Sequence, residues 1–531
     1  MKMNTAKIVV FLMVLFYATA GFAQQTYQDW LKQQKAAQDS AINSEKAIYE
    51  RYKADEARAF QKFSEEQEKA FLEFLQQEWK AVNISPEKIP DPTPKPREIP
   101  QTEPQYTFEE ASEISGRTNK EMPDSKIAGI FNKIELPDKE IELLEPEASE
   151  DNSILDFFTG GQEPLKFSFF DVLLQVDFDS DITRATLAEP LSKAAISDFW
   201  KALADTKTDR LITQSGRLKQ QMQLNDWGFC LLLYEMGDRI FPGSENKRRL
   251  FVWFVLTQTG YDARVGYLED KVYLVLPLAP EIYSTLRLNI NNNTYYLANL
   301  DGEKTRFTSL MIYSGTFEAA TFPLKLNVHR LPAIHKSKMQ RSLKFAYNGR
   351  EHTIEVEYRK DLVDFFYRYP QTSSSLYFQA SLSPEAHNSL VKGLRPLIAN
   401  RPEAEKVDII LSFVQRAFEY ETDEVQFGWE KPLFPEETLF YPYSDCEDRA
   451  VLFAYLVRNL VGLDVIGLDY PGHISTAVKF SKKISGDFVM YKNEKYVICD
   501  PTYIGASIGQ AMPEHKDAEV TFIPIGVQPA F

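Results

Sequence analysis

The sequence predicts an α+β protein with several folded units, and three features of the 531-residue chain predict it. An early segment is rich in Ala, Glu, Gln and Lys and lacks Pro and Gly. The middle of the chain has short alternating runs of β-branched and aromatic residues, which are typical of strands. The last part has helical periodicity first and strand patterns afterwards. At about 150 residues per domain, the length allows roughly three domains.

Residues 1–23 have the pattern of a secretory signal peptide. Lys2 and Lys7 precede an apolar run, and small residues follow before Gln24, where we expect the mature chain to begin. No Cys lies near the cleavage point, so the expected location is the periplasm or the extracellular space rather than a lipid anchor. No later stretch approaches the ~20 apolar residues of a membrane helix, so no integral membrane span is expected.

Residues 24–83 are predicted to form one long amphipathic helix. Aromatic pairs spaced by three recur every eleven residues, which keeps them on one stripe of the helix. The pairs are Tyr49 and Tyr52, Phe60 and Phe63, and Phe71 and Phe74. We expect this stripe to dock on the protein, to bind a partner or to self-associate as a coiled coil. A membrane-surface helix would have a more basic polar face.

Residues 84–151 are predicted to be a linker. Pro recurs from Pro86 to Pro104, which removes backbone donors and favours extended polyproline conformation. An acidic, weakly patterned stretch follows it. Within 160–281, strands are predicted over 166–178, helices over 192–240, and a helix followed by two strands over 249–277. A mostly antiparallel β module is expected over 282–382, and a helix-rich, then strand-rich unit over 383–531.

The charge and the Cys content exclude some classes of function. The net charge is −16 and no long basic cluster exists, so neither nucleic acid nor an anionic membrane surface is expected as the main partner. The only Cys residues are Cys230, Cys446 and Cys499. Three cysteines cannot form a disulfide framework, and at least one thiol stays unpaired in an exported protein. Such a thiol calls for a chemical explanation.

Cys446 is the candidate nucleophile. The segment after it has an apolar face at helical spacing, and Asp445 can act as an N-cap, so a helix should begin at Cys446. The positive end of that helix should favour the thiolate. His473 begins a predicted strand, and Asp500 ends a neighbouring one. A thiol that faces an imidazole and a carboxylate has the arrangement required for nucleophilic acyl transfer.

Three short motifs resemble those of the transglutaminase-like superfamily of papain-related thiol enzymes. They read SDCEDRA from Ser444, GHISTAV from Gly472 and CDPTY from Cys499, and their order and spacing match the family pattern. The resemblance implies a triad of Cys446, His473 and Asp500. It departs from the family at Ser444, where Gly is common, and at Ile474, where an aromatic or small residue is usual.

The resemblance extends upstream, over residues 418–439, to the segment that precedes the nucleophile in bacterial transglutaminase-like cysteine peptidases. By that comparison Gln426 is the candidate side-chain donor to an oxyanion, and Trp429 is the second choice. The backbone N–H of Cys446 would be the other donor.

A second, degenerate copy of the same domain is predicted within 160–281. Leu250–Pro277 resembles Val451–Val478 in its helix pattern and in the turn after the helix. The nucleophile position falls among Ser244, Glu245 and Asn246, and the His position at or near Lys271. None of these residues performs thiol chemistry, so the copy is expected to bind or to support structure.

The resemblance therefore implies an exported thiol enzyme that acts on a protein or peptide substrate. Peptide hydrolysis is favoured over crosslinking, although both reactions share the acylation half. The alternative is a non-catalytic envelope scaffold that uses these domains for binding. No cofactor is expected. No metal is expected either, because the other His residues lack paired ligand spacing; they are His329, His335, His352, His387 and His515.

Overall fold

The computed structural model describes residues 69, 71, 72, 75, 79–85, 117–118, 155–156, 164–302, 307–313, 319–334 and 337–525. The signal peptide predicted over 1–23 and most of the helix predicted over 24–83 lie outside the described residues. The chain divides into two compact units, Met1–Glu73 and Phe74–Phe531, and every strand of the described part lies in the second. In the described part, no helix has both the length and the apolar character needed to cross a membrane.

Helices and sheets are both present, which confirms the α+β class. The helices are α1 (Lys193–Ala204), α2 (Asp209–Gln221), α3 (Asp226–Ile240), α4 (Glu245–Gln258), α5 (Lys360–Tyr367), α6 (Ser374–Phe378), α7 (Pro384–Ile398), α8 (Glu403–Arg416), α9 (Asp423–Phe427), α10 (Pro435–Phe440) and α11 (Cys446–Leu456). Shorter turns are the 3-10 helices Ser180–Arg184 and Pro513–His515 and the π-helical turn Val457–Val461.

The strands fall into five sheets within the described residues. They are β1 (Trp79–Ser85), β2 (Arg117–Thr118), β3 (Leu155–Asp156), β4 (Leu165–Phe169), β5 (Val172–Val176), β6 (Arg264–Leu268), β7 (Lys271–Leu276), β8 (Leu278–Ala279), β9 (Arg287–Ile290), β10 (Asn293–Leu297), β11 (Ser309–Tyr313), β12 (Leu324–Lys325), β13 (Lys338–Tyr347), β14 (Arg350–Arg359), β15 (Asp464–Tyr470), β16 (His473–Lys479), β17 (Phe488–Tyr491), β18 (Glu494–Ile498) and β19 (Thr521–Pro524).

The first large sheet is a closed barrel in the order β1-β11-β6-β7-β10-β9. Its strand β1 contradicts part of the helix predicted over 24–83. Residues from Trp79 onward form a strand instead of the end of a helix over 24–83. Trp79 pairs with Tyr313, and Val82 and Ile84 pack against the barrel core. These tertiary contacts override the helical pattern. The predicted linker over 84–151 also contributes β2, which pairs with β17.

The boundary expected at residue 281 passes through the barrel. Strands β9, β10 and β11 continue the ladder of β6 and β7, with Tyr296 paired to Leu276. The β13–β14 hairpin belongs with the C-terminal helices instead: Ser412 Oγ donates to the Ala346 carbonyl at 3.0 Å. The β-rich stretch over 282–382 is therefore not one separate module: its first strands belong to the barrel, and β13 and β14 form a hairpin of their own beside α8.

The second large sheet has the order β19-β15-β16-β18-β17-β2, and it positions the candidate site. Its core contains Ile466, Leu468, Val489 and Phe522, which are at most 3 % exposed. Helix α11 packs on β16. The start of α11 and the start of β16 are therefore held side by side.

The two large sheets share one plan. In each, a helix is followed by five antiparallel strands whose spatial order is fifth, first, second, fourth, third. Single contacts repeat as well. The Ala298 N–H donates to the Leu274 carbonyl at 2.9 Å, as the Cys499 N–H does to the Thr476 carbonyl at 2.9 Å. The same fold of helix and strands thus occurs twice in the chain.

Candidate active site

Cys446 is the first residue of α11, as predicted, and its side chain is 1 % exposed. Two groups contact the sulfur. The main-chain N–H of Ile474 donates to Cys446 Sγ at 3.2 Å, and the thiol donates to Glu447 Oε2 at 3.2 Å. The nucleophile candidate is therefore held between its own helix and strand β16.

His473 and Asp500 are joined as the sequence predicts. His473 Nε2 lies 2.9 Å from Asp500 Oδ2, and both side chains are buried. The other carboxylate oxygen, Asp500 Oδ1, accepts the N–H groups of Thr502 at 2.9 Å and Tyr503 at 3.1 Å. These bonds fix the carboxylate, which in turn orients the imidazole ring.

A buried glutamine holds the loop that carries Asp500. Gln415 Nε2 donates to the carbonyls of Asp500, Tyr503 and Ala506 at 2.9–3.1 Å, and its Oε1 accepts the Gly505 N–H at 3.1 Å. Both ends of its side-chain amide face this loop. Gln415 is thus a support for the carboxylate and was not predicted from the sequence.

Cys446 and His473 line one cavity of about 310 Å³. Since Nε2 faces Asp500, the free position of the ring is Nδ1. Within the described residues the sulfur has Ile474 and Glu447 as hydrogen-bond partners, not the imidazole. Catalytic hydrogen bonds are often long or poorly aligned before substrate binds, so a bond between Cys446 and the imidazole would have to form in the substrate complex.

The resting state favours the protonated thiol. Burial raises the pKa of Cys446 well above its usual value, and the carboxylates of Glu447 and Asp445 raise it further, while the Ile474 N–H opposes them. The sequence predicted that the start of the helix would favour the thiolate, but that prediction did not take the charges of Glu447 and Asp445 into account. Attack by this thiol on a carbonyl would therefore need a base that removes its proton.

The pKa values of His473 and Asp500 are shifted in opposite directions. Burial alone would lower the pKa of His473, but the charge and hydrogen bond of Asp500, with smaller effects of Glu447 and Glu514, raise it. Burial alone would raise the pKa of Asp500, but His473 and two main-chain N–H groups lower it. Asp500 therefore stays ionised and stabilises an imidazolium.

A group of carboxylates, all buried except the half-buried Glu430, lies beside Cys446. Oxygens of Asp423, Asp445 and Asp448 lie within 4.8 Å of one another, and so do those of Asp423, Glu430 and Glu447. Such oxygen sets could hold a hard cation, for which carboxylates are the preferred ligands. The sequence offered no His or Cys ligand spacing, so this grouping was missed.

Some of these carboxylates accept hydrogen bonds that stabilise them, and one does not. Asp448 accepts the N–H groups of Leu433 at 2.7 Å and Asp445 at 3.3 Å, and Asp423 accepts that of Lys431 at 2.6 Å. Both carboxylate oxygens of Asp445 are buried and have no hydrogen-bond partner among the described residues. Burial, together with Asp448 and Glu447, raises the pKa of Asp423 to about 10.

The predicted oxyanion donors lie outside the cavity lining. Gln426 is on α9, and its Nε2 is buried without a hydrogen-bond partner among the described residues. Trp429 is 41 % exposed. The cavity is lined instead by residues that follow Gln426 and Trp429 in the chain, namely Glu430, Pro432 and Leu433. The structure thus does not bring either predicted side chain to the nucleophile.

Two aromatic contacts extend the site beyond the triad. The His515 ring stacks on His473 with a centroid distance of 4.9 Å and an interplanar angle of 9°. Tyr470 stacks on His515 at 5.0 Å. These rings limit the movement of the imidazole. No sequence motif contains His515, and only the packing of the loop before β19 brings it there.

The first copy of the fold, which consists of α4 and the barrel strands that follow it, has different residues at the positions of Cys446, His473 and Asp500. Asn246 Oδ1 accepts the Val272 N–H at 2.9 Å, as Cys446 Sγ accepts the Ile474 N–H. Lys271 is the first residue of β7, as His473 is of β16. Asn299 comes directly after Ala298, whose N–H makes the repeated main-chain bond, just as Asp500 comes directly after Cys499. An amide, an ammonium and an amide replace the thiol, imidazole and carboxylate. The first copy therefore lacks the groups for thiol chemistry.

Comparisons with known proteins found no family, no curated protein and no solved structure that matches this chain. The geometry of the residues themselves therefore carries the functional conclusion.

Proposed function

We propose that the chain is an exported thiol enzyme of transglutaminase-like type that attacks an amide or peptide carbonyl with Cys446. The observation that carries the proposal is the 2.9 Å contact of His473 with Asp500 at a ring that shares a cavity with Cys446. The start of a helix supplies the thiol, the start of β16 the imidazole and the loop after β18 the carboxylate, which are the three groups that acyl transfer of this type uses.

The acylation step moves one proton and exchanges one bond. His473 Nδ1 takes the thiol proton while Cys446 Sγ bonds to the carbonyl carbon. The protonated ring then gives that proton to the amine nitrogen, the C–N bond breaks, and the acyl group remains on sulfur as a thioester. Asp500 keeps Nε2 protonated, which leaves Nδ1 as the base, and it stabilises the imidazolium formed in between.

Hydrolysis completes the cycle. Water gives a proton to the same ring and adds to the thioester carbonyl, and the C–S bond breaks to release a carboxylic acid and restore the thiol. An amine in place of water would yield a crosslink. We favour water because it is always present, whereas an acceptor amine must be bound and held at the thioester.

A labelling experiment tests the proposal, with Cys499 as the matched control. Cys499 is also buried, but it lies outside the cavity lining and its thiol contacts the Val497 carbonyl at 3.6 Å. Iodoacetamide should alkylate the native protein at Cys446, and Cys446→Ser, unlike Cys499→Ser, should abolish that labelling.

Turnover of a fluorogenic peptide library is the second arm. Cys446→Ser and His473→Ala should each lower hydrolysis by at least about 10³-fold, and Cys499→Ser should retain it. Equal turnover by Cys446→Ser and the unmodified protein would exclude a Cys446 enzyme.

The second candidate function is a non-catalytic scaffold, and one observation favours it for part of the chain. The first copy keeps the helix and strands but has Asn246, Lys271 and Asn299 at the three positions. We propose that this copy has a binding or scaffolding role, while the C-terminal copy performs the thiol chemistry. Absence of any triad-dependent reaction would extend the scaffold function to both copies.

A further inference from the structure

The wall of the cavity at Cys446 contains a side-chain amide that belongs to none of the sequence motifs. Gln371, in the connection between α5 and α6, lines this cavity together with Cys446 and His473. Its Nε2 atom is buried and has no hydrogen-bond partner among the described residues. Buried polar groups are nearly always paired, so an unpaired donor in the wall of a candidate active site needs an explanation.

The other end of the same amide is fixed. Ser284 Oγ donates to Gln371 Oε1 at 2.6 Å, and the Gln371 carbonyl accepts the Tyr283 N–H at 2.9 Å. Next to these bonds, Thr372 Oγ1 donates to the Glu281 carbonyl at 2.7 Å. Because Oε1 is the acceptor for Ser284, Nε2 is the end of the amide that is left to donate. The side chain is therefore held in one orientation by its neighbours.

The residue that fixes the amide has a strained backbone. The φ angle of Ser284 is 55°, in the left-handed region that residues other than Gly rarely adopt. Strain of this kind persists only where the surrounding structure holds it, and it is concentrated at functional sites. The conformation of Ser284 therefore favours a functional role for its contact with Gln371.

The proposed acylation creates a negative charge that a donor must stabilise. When the sulfur bonds to the carbonyl carbon, the π electron pair of the C=O bond moves to the oxygen, and it returns when the C–N bond breaks. Hydrogen-bond donors directed at this oxygen lower the barrier. The two side chains predicted for this task, Gln426 and Trp429, lie outside the cavity lining. The position of a side-chain donor is thus still to be assigned.

We propose that Gln371 is the side-chain donor of the oxyanion hole, with its Nε2–H bonded to the oxygen of the carbonyl that Cys446 attacks. The inference rests on the proposed function, because it adds a catalytic residue to the same reaction. No proton is transferred in this contact; the hydrogen bond becomes stronger as the oxygen becomes negative. The substrate then supplies the acceptor that Nε2 lacks among the described residues.

The assignment connects the two copies of the fold. Ser284 lies on the segment that leads into barrel strand β9 of the first copy, whereas Cys446 begins α11 of the second. The non-catalytic copy would thus orient a catalytic group that acts at the nucleophile of the other copy.

Turnover of the fluorogenic peptide that the unmodified protein cleaves fastest tests the donor. Methionine has nearly the shape of glutamine but no N–H group. Gln371→Met should lower kcat by about 10²–10³-fold, the loss expected when one oxyanion donor is removed, with little change in KM.

Gln426→Met is the matched comparison. Gln426 Nε2 is also buried without a hydrogen-bond partner among the described residues, but it lies outside the cavity lining, so this variant should retain kcat. An unchanged kcat in Gln371→Met, or an equal loss in both variants, would overturn the proposal.

Alkylation and thermal unfolding separate a catalytic role from damage to the site. Iodoacetamide reacts with a thiol by displacement of iodide, without an oxyanion, so Gln371→Met should keep the alkylation rate of Cys446. Its melting temperature should not fall, because the variant removes an unpaired donor and the exposed Ser284 hydroxyl can bond to water. Slower alkylation or a lower melting temperature together with the loss of kcat would assign Gln371 a structural role and overturn the proposal.

The two proposals fail in different ways. Turnover that Cys446→Ser abolishes and Gln371→Met retains would keep the thiol enzyme and remove this donor. Turnover that survives Cys446→Ser, or no turnover by the unmodified protein, would remove the thiol enzyme and this role of Gln371 with it.

Discussion

The main-chain N–H of Ile474 donates to Cys446 Sγ at 3.2 Å, so the strand that carries His473 also holds Cys446. Residues 473 and 474 are neighbours at the start of β16; the His473 ring contacts Asp500, and the Ile474 N–H contacts Cys446. A shift of β16 by one residue would break both contacts. The register of one antiparallel pair therefore sets the geometry of the site.

Glu447→Gln should make Cys446 more reactive. After burial, Glu447 is the first charge that raises the pKa of the thiol, so its removal lowers that pKa. The rate of iodoacetamide labelling as a function of pH should have a lower midpoint than in the unmodified protein. Glu424→Gln, an exposed substitution with the same charge change, is the control, and a higher midpoint for Glu447→Gln would contradict the prediction.

Asp500→Asn should lower the pKa of His473 and impair turnover. The charge of Asp500 and its hydrogen bond are the groups that raise that pKa against the effect of burial. NMR titration of the ring protons should show the lower value, and turnover should fall by about 10³–10⁴-fold because the tautomer is no longer fixed. The exposed Asp517→Asn should change neither. An unchanged His473 titration in Asp500→Asn would count against the contact.

Asp445→Asn should stabilise the protein increasingly as the pH rises. Burial, Glu447 and Asp448 raise the pKa of Asp445 in the folded state well above its unfolded value. The folded state then binds more protons than the unfolded state, so the stability contributed by the protonated group is present at low pH and lost as the pH rises. Asn does not ionise and avoids this loss.

Urea unfolding from pH 5 to pH 9 measures this effect, with a chelator present so that no cation binds the carboxylates. The difference in unfolding free energy should favour Asp445→Asn and widen with pH. A constant difference over this range would show that Asp445 keeps the same charge in both states.

Gly467→Ala should destabilise the C-terminal sheet. A Cβ at this position would lie 2.9 Å from Phe378, closer than real Cβ atoms approach, and 3.0 Å from Ile523, which is tighter than most real contacts. Overpacking of this kind costs about 1–3 kcal/mol. Gly216 in α2 has no atom within 4 Å of the same test position, so Gly216→Ala should be neutral or stabilising. Thermal unfolding of the two variants compares them directly, and equal melting temperatures would refute the crowding.

The parts of the site that local patterns encode were predictable. The start of a helix at Cys446 follows from its apolar periodicity, and the strand positions of His473 and Asp500 follow from the turns around them. Gln415 and His515 carried no such signal, because their positions at the site depend on contacts with residues far along the chain. Long-range packing has no sequence signature that a single chain reveals.

The same limit explains the errors in domain boundaries. Trp79–Ser85 continues a helix-like composition, yet it has its partners in β9 and β11. The strands over 282–313 resemble a separate β module, but their hydrogen bonds join them to β7. Composition describes each segment alone, whereas a sheet is defined by pairs of segments.

The closing strand of the barrel has a consequence for how the protein is made. Trp79–Ser85 leaves the ribosome before either of its partners, β9 and β11, has been synthesised. Its ladder with β11 cannot be complete until Tyr313 has been synthesised, since β11 ends there. Contacts so distant in sequence fold slowly. Closure of the barrel is therefore a late step in folding.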